Sequence, residues 1–153
     1  MNESDNKYLI FRADNKKFAM SFADVLVIVP AVKASKIPDF PDYAEGNIVN
    51  DGKMVTVLNL RKRFGYTHKD FSERDCIIIC DGRKSIGLLC DSIDGFCELN
   101  EGDIQPAPDI NEQVNARFMI GEFLHEGQPC YIIKPELVIR EDHEELFKKQ
   151  KSE

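Results

Sequence analysis

The chain lacks an excess of positive charge, a long apolar run, a Cys-x-x-Cys pair and a glycine-rich phosphate loop. Each absence removes a class of function. A net charge of -7 at pH 7 provides no overall basic face to displace phosphate counterions, which argues against sequence-independent nucleic-acid binding. It equally disfavours docking on anionic lipid. The densest apolar run, 25–29, stops at Pro30, far short of the roughly 20 residues that span a bilayer. The start Met1-Asn2-Glu3-Ser4-Asp5-Asn6 is polar and lacks the charged-then-apolar order of an export signal. A cytoplasmic location is expected.

What is present suits one modest domain, or two small lobes sharing a core. The 153 residues are 42% hydrophobic and 31% charged, and a chain of this size buries about 68–70% of its unfolded surface without metal or disulfide support. Cys76 and Cys80 bracket Cys-Ile-Ile-Ile-Cys. Read as a strand, that spacing is about 13 Å, too far for a disulfide or for ligands of one metal. Cys90, Cys97 and Cys130 stand singly in apolar surroundings. All five are expected to be buried, reduced and structural, in a fold indifferent to reductant and chelator. No metal or cofactor site is expected. His68, His125 and His143 adjoin no Cys or Ser in a nucleophile motif, so the protein is read as no enzyme. A thiol- or histidine-dependent enzyme is the remote alternative.

The elements are short strands separated by turns, the pattern of small barrels rather than βαβ units. Segments 8–11 and 17–20 flank Asp14-Asn15-Lys16, a hairpin signal. Ser21 can cap a helical start, while Val25, Val27 and Ile28 equally favour a strand. A short strand is expected at 33–37 and a loop at 38–42. Val55 and Val57 share one face of 53–58; Met54, Thr56 and Leu58 share the other, as in a strand covered on both faces. Asn59 caps a short helix to Phe64, which Gly65 ends. Further strand candidates follow at 76–80, 85–90 and 93–99, with a last pair at 118–124 and 131–133 across Glu126-Gly127-Gln128-Pro129. Pro135-Glu136-Leu137 opens a C-terminal helix, with Glu144/Lys148 and Glu145/Lys149 spaced as i,i+4 pairs.

The stretch 37–65, IPDFPDYAEGNIVNDGKMVTVLNLRKRFG, resembles the middle of the CheW family, whose members couple chemoreceptors to the kinase CheA. Phe11, Phe18-Ala19-Met20 and a helix at 25–28 follow that family's opening pattern. Ile86-Gly87-Leu88-Leu89-Cys90-Asp91-Ser92-Ile93 looks like its Gly-Leu-x-Val-Asp-x-Val motif. Phe118-Met119-Ile120-Gly121 and Pro135-Glu136-Leu137 match its closing pieces. The resemblance implies an all-β fold of two SH3-like five-stranded β-barrels. On that reading 7–147 is the domain, with lobes at about 7–65 and about 74–134, a helix at 135–149, and flexible tails at 1–6 and 150–153. It also implies two partners, a receptor tip lying between the barrels and the regulatory domain of a CheA-type kinase. Candidate contacts on that basis are Val25, Val27, Ile28, Gly46, Asp51, Gly52, Met54, Ile77, Ile93 and Phe96.

Three positions depart from the family pattern. Val49-Asn50-Asp51-Gly52 stands where Asn-Leu-Arg-Gly is usual, so Asp51 reverses a charge. Val27 stands where Glu is common, and Thr56 where Pro is frequent. A diverged module serving another partner set is therefore the runner-up reading. Arg61-Lys62-Arg63 is the best local basic patch and reads more as a solvated helix face than as a docking patch.

Overall fold

The computed structural model describes residues 6–66, 72, 74–82, 85–106, 119–139 and 143–144. Ten strands among them run as β1 (Lys7–Ala13), β2 (Lys16–Ser21), β3 (Val25–Pro30), β4 (Ala44–Asn50), β5 (Lys53–Asn59), β6 (Cys76–Cys80), β7 (Ile86–Cys90), β8 (Ser92–Glu98), β9 (Met119–His125) and β10 (Gln128–Ile133). They form two five-stranded sheets in the orders β8-β1-β2-β10-β9 and β3-β6-β7-β5-β4. The all-β expectation holds.

Three hairpins turn on two residues with positive φ each: Asp14-Asn15, Asp51-Gly52 and Glu126-Gly127. This is the type I′ geometry whose twist matches that of paired strands; Asp, Asn and Gly tolerate it best, and Glu126 is the one residue here outside that set. The helix α1 (Leu60–Phe64) is built as its sequence suggests. The Asn59 side chain accepts the Lys62 N–H, and Gly65 closes the helix in the left-handed region at φ 78°.

The sheets do not follow the expected lobe boundaries. The hairpin β1–β2 joins β8, β9 and β10, whereas β3 to β5 join β6 and β7. Two parallel pairs, β2 with β10 and β5 with β7, knit the halves of the chain together. Strand alternation encodes which face is apolar and leaves the choice of neighbour open.

Local corrections follow from the same physics. The helical start capped by Ser21 is a 3-10 turn at Phe22–Asp24, and the helix at 25–28 that the resemblance implied is strand instead. The β-branched residues after the turn enter β3, where they pair with β6. The strand expected at 33–37 amounts to one bridge, Ser35 to Asn47. The C-terminal helix begins as a 3-10 turn at Pro135–Val138; 140–142 and 145–153, with both expected i,i+4 pairs, lie outside the described residues.

Three apolar layers result. Leu9, Phe11, Phe18 and Met20 of the first sheet meet Leu58, Ile78 and Leu88 of the second, with Leu60 and Phe64 of α1. Phe18 stacks on Phe11 and Phe64 at centroid distances of 5.9 and 5.1 Å. The opposite faces bury Ile10, Ala19 and Ile132 in one sheet and Val55, Val57, Ile77 and Ile79 in the other. Each large side chain so buried contributes roughly 1.5–3 kcal/mol. Strands apolar on both faces, as read for 53–58, follow from this arrangement.

Candidate partner-binding surface

The two edge strands β3 and β8 carry matching irregularities. In β3 the register slips between Val25 and Val27, so Val25 and Ile28, three residues apart, both turn toward the central core. In β8 the register skips Asp94 beside Gly95, whose φ is 126°. Ile93 then lies opposite Phe11 and Phe96 opposite Leu9, again on the central-core face. A bulge re-aims side chains in this way. Phe22, in the turn leading to β3, sets its ring edge-on to Phe96 of β8 at 5.1 Å, and Lys7 Nζ lies 5.6 Å from the Phe22 centroid. The turn leading into β3 thus meets the edge strand β8 of the other sheet through this aromatic pair. Phe96 is 53% exposed and Phe22 36%, so the pair has surface to offer.

The candidates therefore separate. Val25, Ile28 and Ile93 pack against the central core, and Phe96 meets Phe22. Val27 and its neighbour Leu26 are exposed on β3. Asp51 and Gly52 form the exposed tip of the β4–β5 hairpin, with Met54 paired to Val49 beside them. Gly46 and Ile77 present no contact surface. A Cβ on Gly46 would lie 2.1 Å from the Ser35 carbonyl oxygen, so this glycine admits the Ser35–Asn47 bridge. Ile77 is 1% exposed and belongs to the second sheet's outer core. Sequence reading missed Phe22, Leu26 and Val49. Large apolar residues beside a turn or on a sheet edge were the available signal.

The basic patch is neither solvated nor free. Arg61 is held by Asp91 and Asp14, Lys62 lies 3.4 Å from Glu45, and Arg63 donates to the Val138 carbonyl and sits over the Tyr43 ring. Thr56 has its own role where Pro is frequent in the resembled family. Its N–H donates to Ser85 O at 3.0 Å, a bond Pro cannot make, and its hydroxyl donates to Asn47 Oδ1 at 2.8 Å.

The described histidines and thiols are held within the fold. His125 Nδ1 lies 2.9 Å from the buried Lys17 Nζ, and His143 Nδ1 lies 2.9 Å from the Tyr43 hydroxyl. All five cysteines are free, but only Cys80, Cys90 and Cys130 are buried as expected; Cys76 and Cys97 are partly exposed. Burial pushes the Cys80 and Cys90 thiols far up and Cys130 to about 12, the reverse of nucleophile activation. Among the described residues no cluster of metal-ligating side chains occurs, and no helix is long and apolar enough to cross a membrane.

The comparisons with known proteins agree with this architecture. A CheW-like domain matches residues 7–143. The probable chemotaxis protein CheW of Rhizobium etli is 26% identical over 146 residues, covering 95% of this chain and 94% of its own. The Bacillus subtilis chemotaxis protein CheW is 26% identical over 108 residues, covering 70% of this chain and 69% of its own. The scaffolding protein TtCheW from Thermoanaerobacter tengcongensis superposes with a TM-score of 0.79 at 28% identity, covering 84% of this chain and 88% of that one. With two five-stranded sheets and a family match over nearly the whole described fold, the chain belongs to the CheW-like domain family.

Proposed function

We propose that this protein is a non-catalytic adaptor of a chemosensory complex, coupling the cytoplasmic tips of chemoreceptors to a CheA-type histidine kinase from the cytoplasm. The observation that carries the reading is the exposed aromatic pair of Phe22 and Phe96 in a CheW-like domain, with Val25, Ile28 and Ile93 partly buried on the strands that adjoin it. Large exposed aromatics beside partly buried aliphatics are the composition of an interface anchor. The Cys80, Cys90 and Cys130 thiols, held protonated by burial, speak against their use as enzyme nucleophiles.

The test is a titration of the full chain against a receptor-tip fragment and against the kinase's regulatory domain. Phe96→Ala, at a half-exposed position, should leave the fold intact and weaken one of the two by tenfold or more, about 1.4 kcal/mol. Unchanged affinity for both, with the fold preserved, would overturn the reading of the aromatic pair. A second reading, a diverged module serving another partner, is favoured by Asp51 at the exposed hairpin tip and Val27 on the exposed edge, where the family pattern carries opposite or additional charge. Absence of binding to either partner by the wild type would favour it.

A further inference from the structure

Strands β6 and β7 pair antiparallel with Cys76 directly opposite Cys90. The Ala31 N–H donates to Asp75 O at 3.0 Å, so residue 75 turns its backbone toward β3 and residue 76 turns its own toward β7. Cys76 and Cys90 are therefore a hydrogen-bonded pair, with Cα atoms about 5.5 Å apart, inside the window a disulfide bridges. Both side chains lie on one face, since Cys76 packs against the central core that contains Cys90. Both thiols also lean toward one end of the ladder. Cys76 Sγ points to Arg74 O at 3.7 Å and Cys90 Sγ to Ser92 O at 3.9 Å, and 74 and 92 are at the same end. The other cysteines have no such partner. Cys80 faces Val25, and Cys97 and Cys130 stand on strands three places apart in the sheet.

We propose that Cys76 and Cys90 are a dithiol–disulfide pair, closed by exchange with a low-molecular-weight disulfide. Cys76 is the more exposed of the two and attacks first. Its thiolate bonds to one sulfur of the small disulfide, whose S–S bond breaks and releases one small thiolate. The Cys90 thiolate then attacks Cys76 Sγ, forming the protein S–S bond and expelling the second small thiolate. The two protons lost by the cysteines are taken up by the two departing thiolates. Two protein thiols are oxidised and one small disulfide is reduced to two thiols. Burial raises both protein thiols, the neighbouring Cys76 adding to the rise at Cys90, so closure is slow at neutral pH and quickens as pH rises.

The test incubates the full-length reduced chain with oxidised glutathione at mildly alkaline pH, then denatures, alkylates and weighs it. The expected product is a monomer that has lost two of its five alkylatable thiols. Tandem mass spectrometry of the linked tryptic fragments, 75–83 with 85–117, should place the bridge between Cys76 and Cys90. Cys90→Ser should stall the reaction as a glutathione adduct on Cys76, and Cys76→Ser, at the more exposed position, should abolish the bridge even where the Cys90 variant unfolds. Reduced glutathione in excess should reopen it. Five alkylatable thiols after prolonged incubation, a bridge between Cys97 and Cys130, or a bridge between two chains would each overturn the proposal.

Discussion

Arg61 grips Asp91 with a two-pronged guanidinium, Nη2 lying 2.7 Å from Oδ2 and Nε 3.0 Å from Oδ1. The remaining prong, Nη1, reaches Asp14 Oδ1 at 3.2 Å, while Asp91 Oδ2 accepts the Asp14 N–H at 2.8 Å. Three segments distant in sequence are thereby tied: α1 from the second sheet, the β1–β2 turn from the first, and the β7–β8 junction between them. The two side chains are 16% and 21% exposed, so solvent screens them only in part.

Arg61→Ala should therefore destabilise by about 2–3 kcal/mol, because it removes the donors and leaves Asp91 partly buried without them. Arg61→Lys should recover only a minor part of this, since a point charge cannot reproduce the fork. Denaturant midpoints check both. A lysine variant as stable as the wild type would show that charge alone suffices.

Gly46→Ala should be among the most costly single-methyl additions in the chain. The new Cβ meets backbone at 2.1 Å and the residue is held at φ 138°, so either the Ser35–Asn47 bridge opens or the strand shifts. A loss above about 2 kcal/mol is expected. Gly52→Ala, where nothing lies within 4 Å of an added Cβ, should cost only the left-handed backbone term of about 1 kcal/mol. Equal losses in urea titrations would refute the close-approach account.

Tyr66 carries a buried hydroxyl without a hydrogen-bond partner among the described residues, although its ring receives Lys16 Nζ at 4.4 Å. Tyr66→Phe should be neutral or stabilising by up to about 1 kcal/mol at neutral pH. Burial, then the nearby Tyr131 and Asp14, hold the phenol well above its ordinary value of 10. The unfolded chain thus ionises first, and this group's contribution to stability is intact below that value and falls as pH rises beyond it. Melting curves across alkaline pH should show a shallower decline in Tyr66→Phe. A steeper decline would contradict the assignment.

Asp51 occupies the first position of the type I′ turn at φ 51° and is exposed. Asp51→Arg should cost the fold less than about 1 kcal/mol. It should raise affinity for a conventional CheA–receptor pair and lower affinity for this protein's own partner, by reversing the field at the hairpin tip. Titration against both partner sets, with circular dichroism as control, decides. Unchanged affinities would leave Asp51 as a turn residue alone.

Much of the local structure was legible in the order of residues. Asp14-Asn15, Asp51-Gly52 and Asn59 with Gly65 act through their own backbones and nearest neighbours, so turn and cap preferences specify them wherever the chain goes. The double-faced burial of 53–58 was legible for the same reason: side chains alternate by construction. Which strand lies beside which was not legible. An apolar face is satisfied by any apolar partner of suitable shape, and only simultaneous closure of both sheets selects β10 for β2 and β7 for β5. The same closure sets Cys90 opposite Cys76, gathers Phe22 and Phe96 across a gap of more than seventy residues, and converts Arg61 from a helix-surface cation into the link between the sheets.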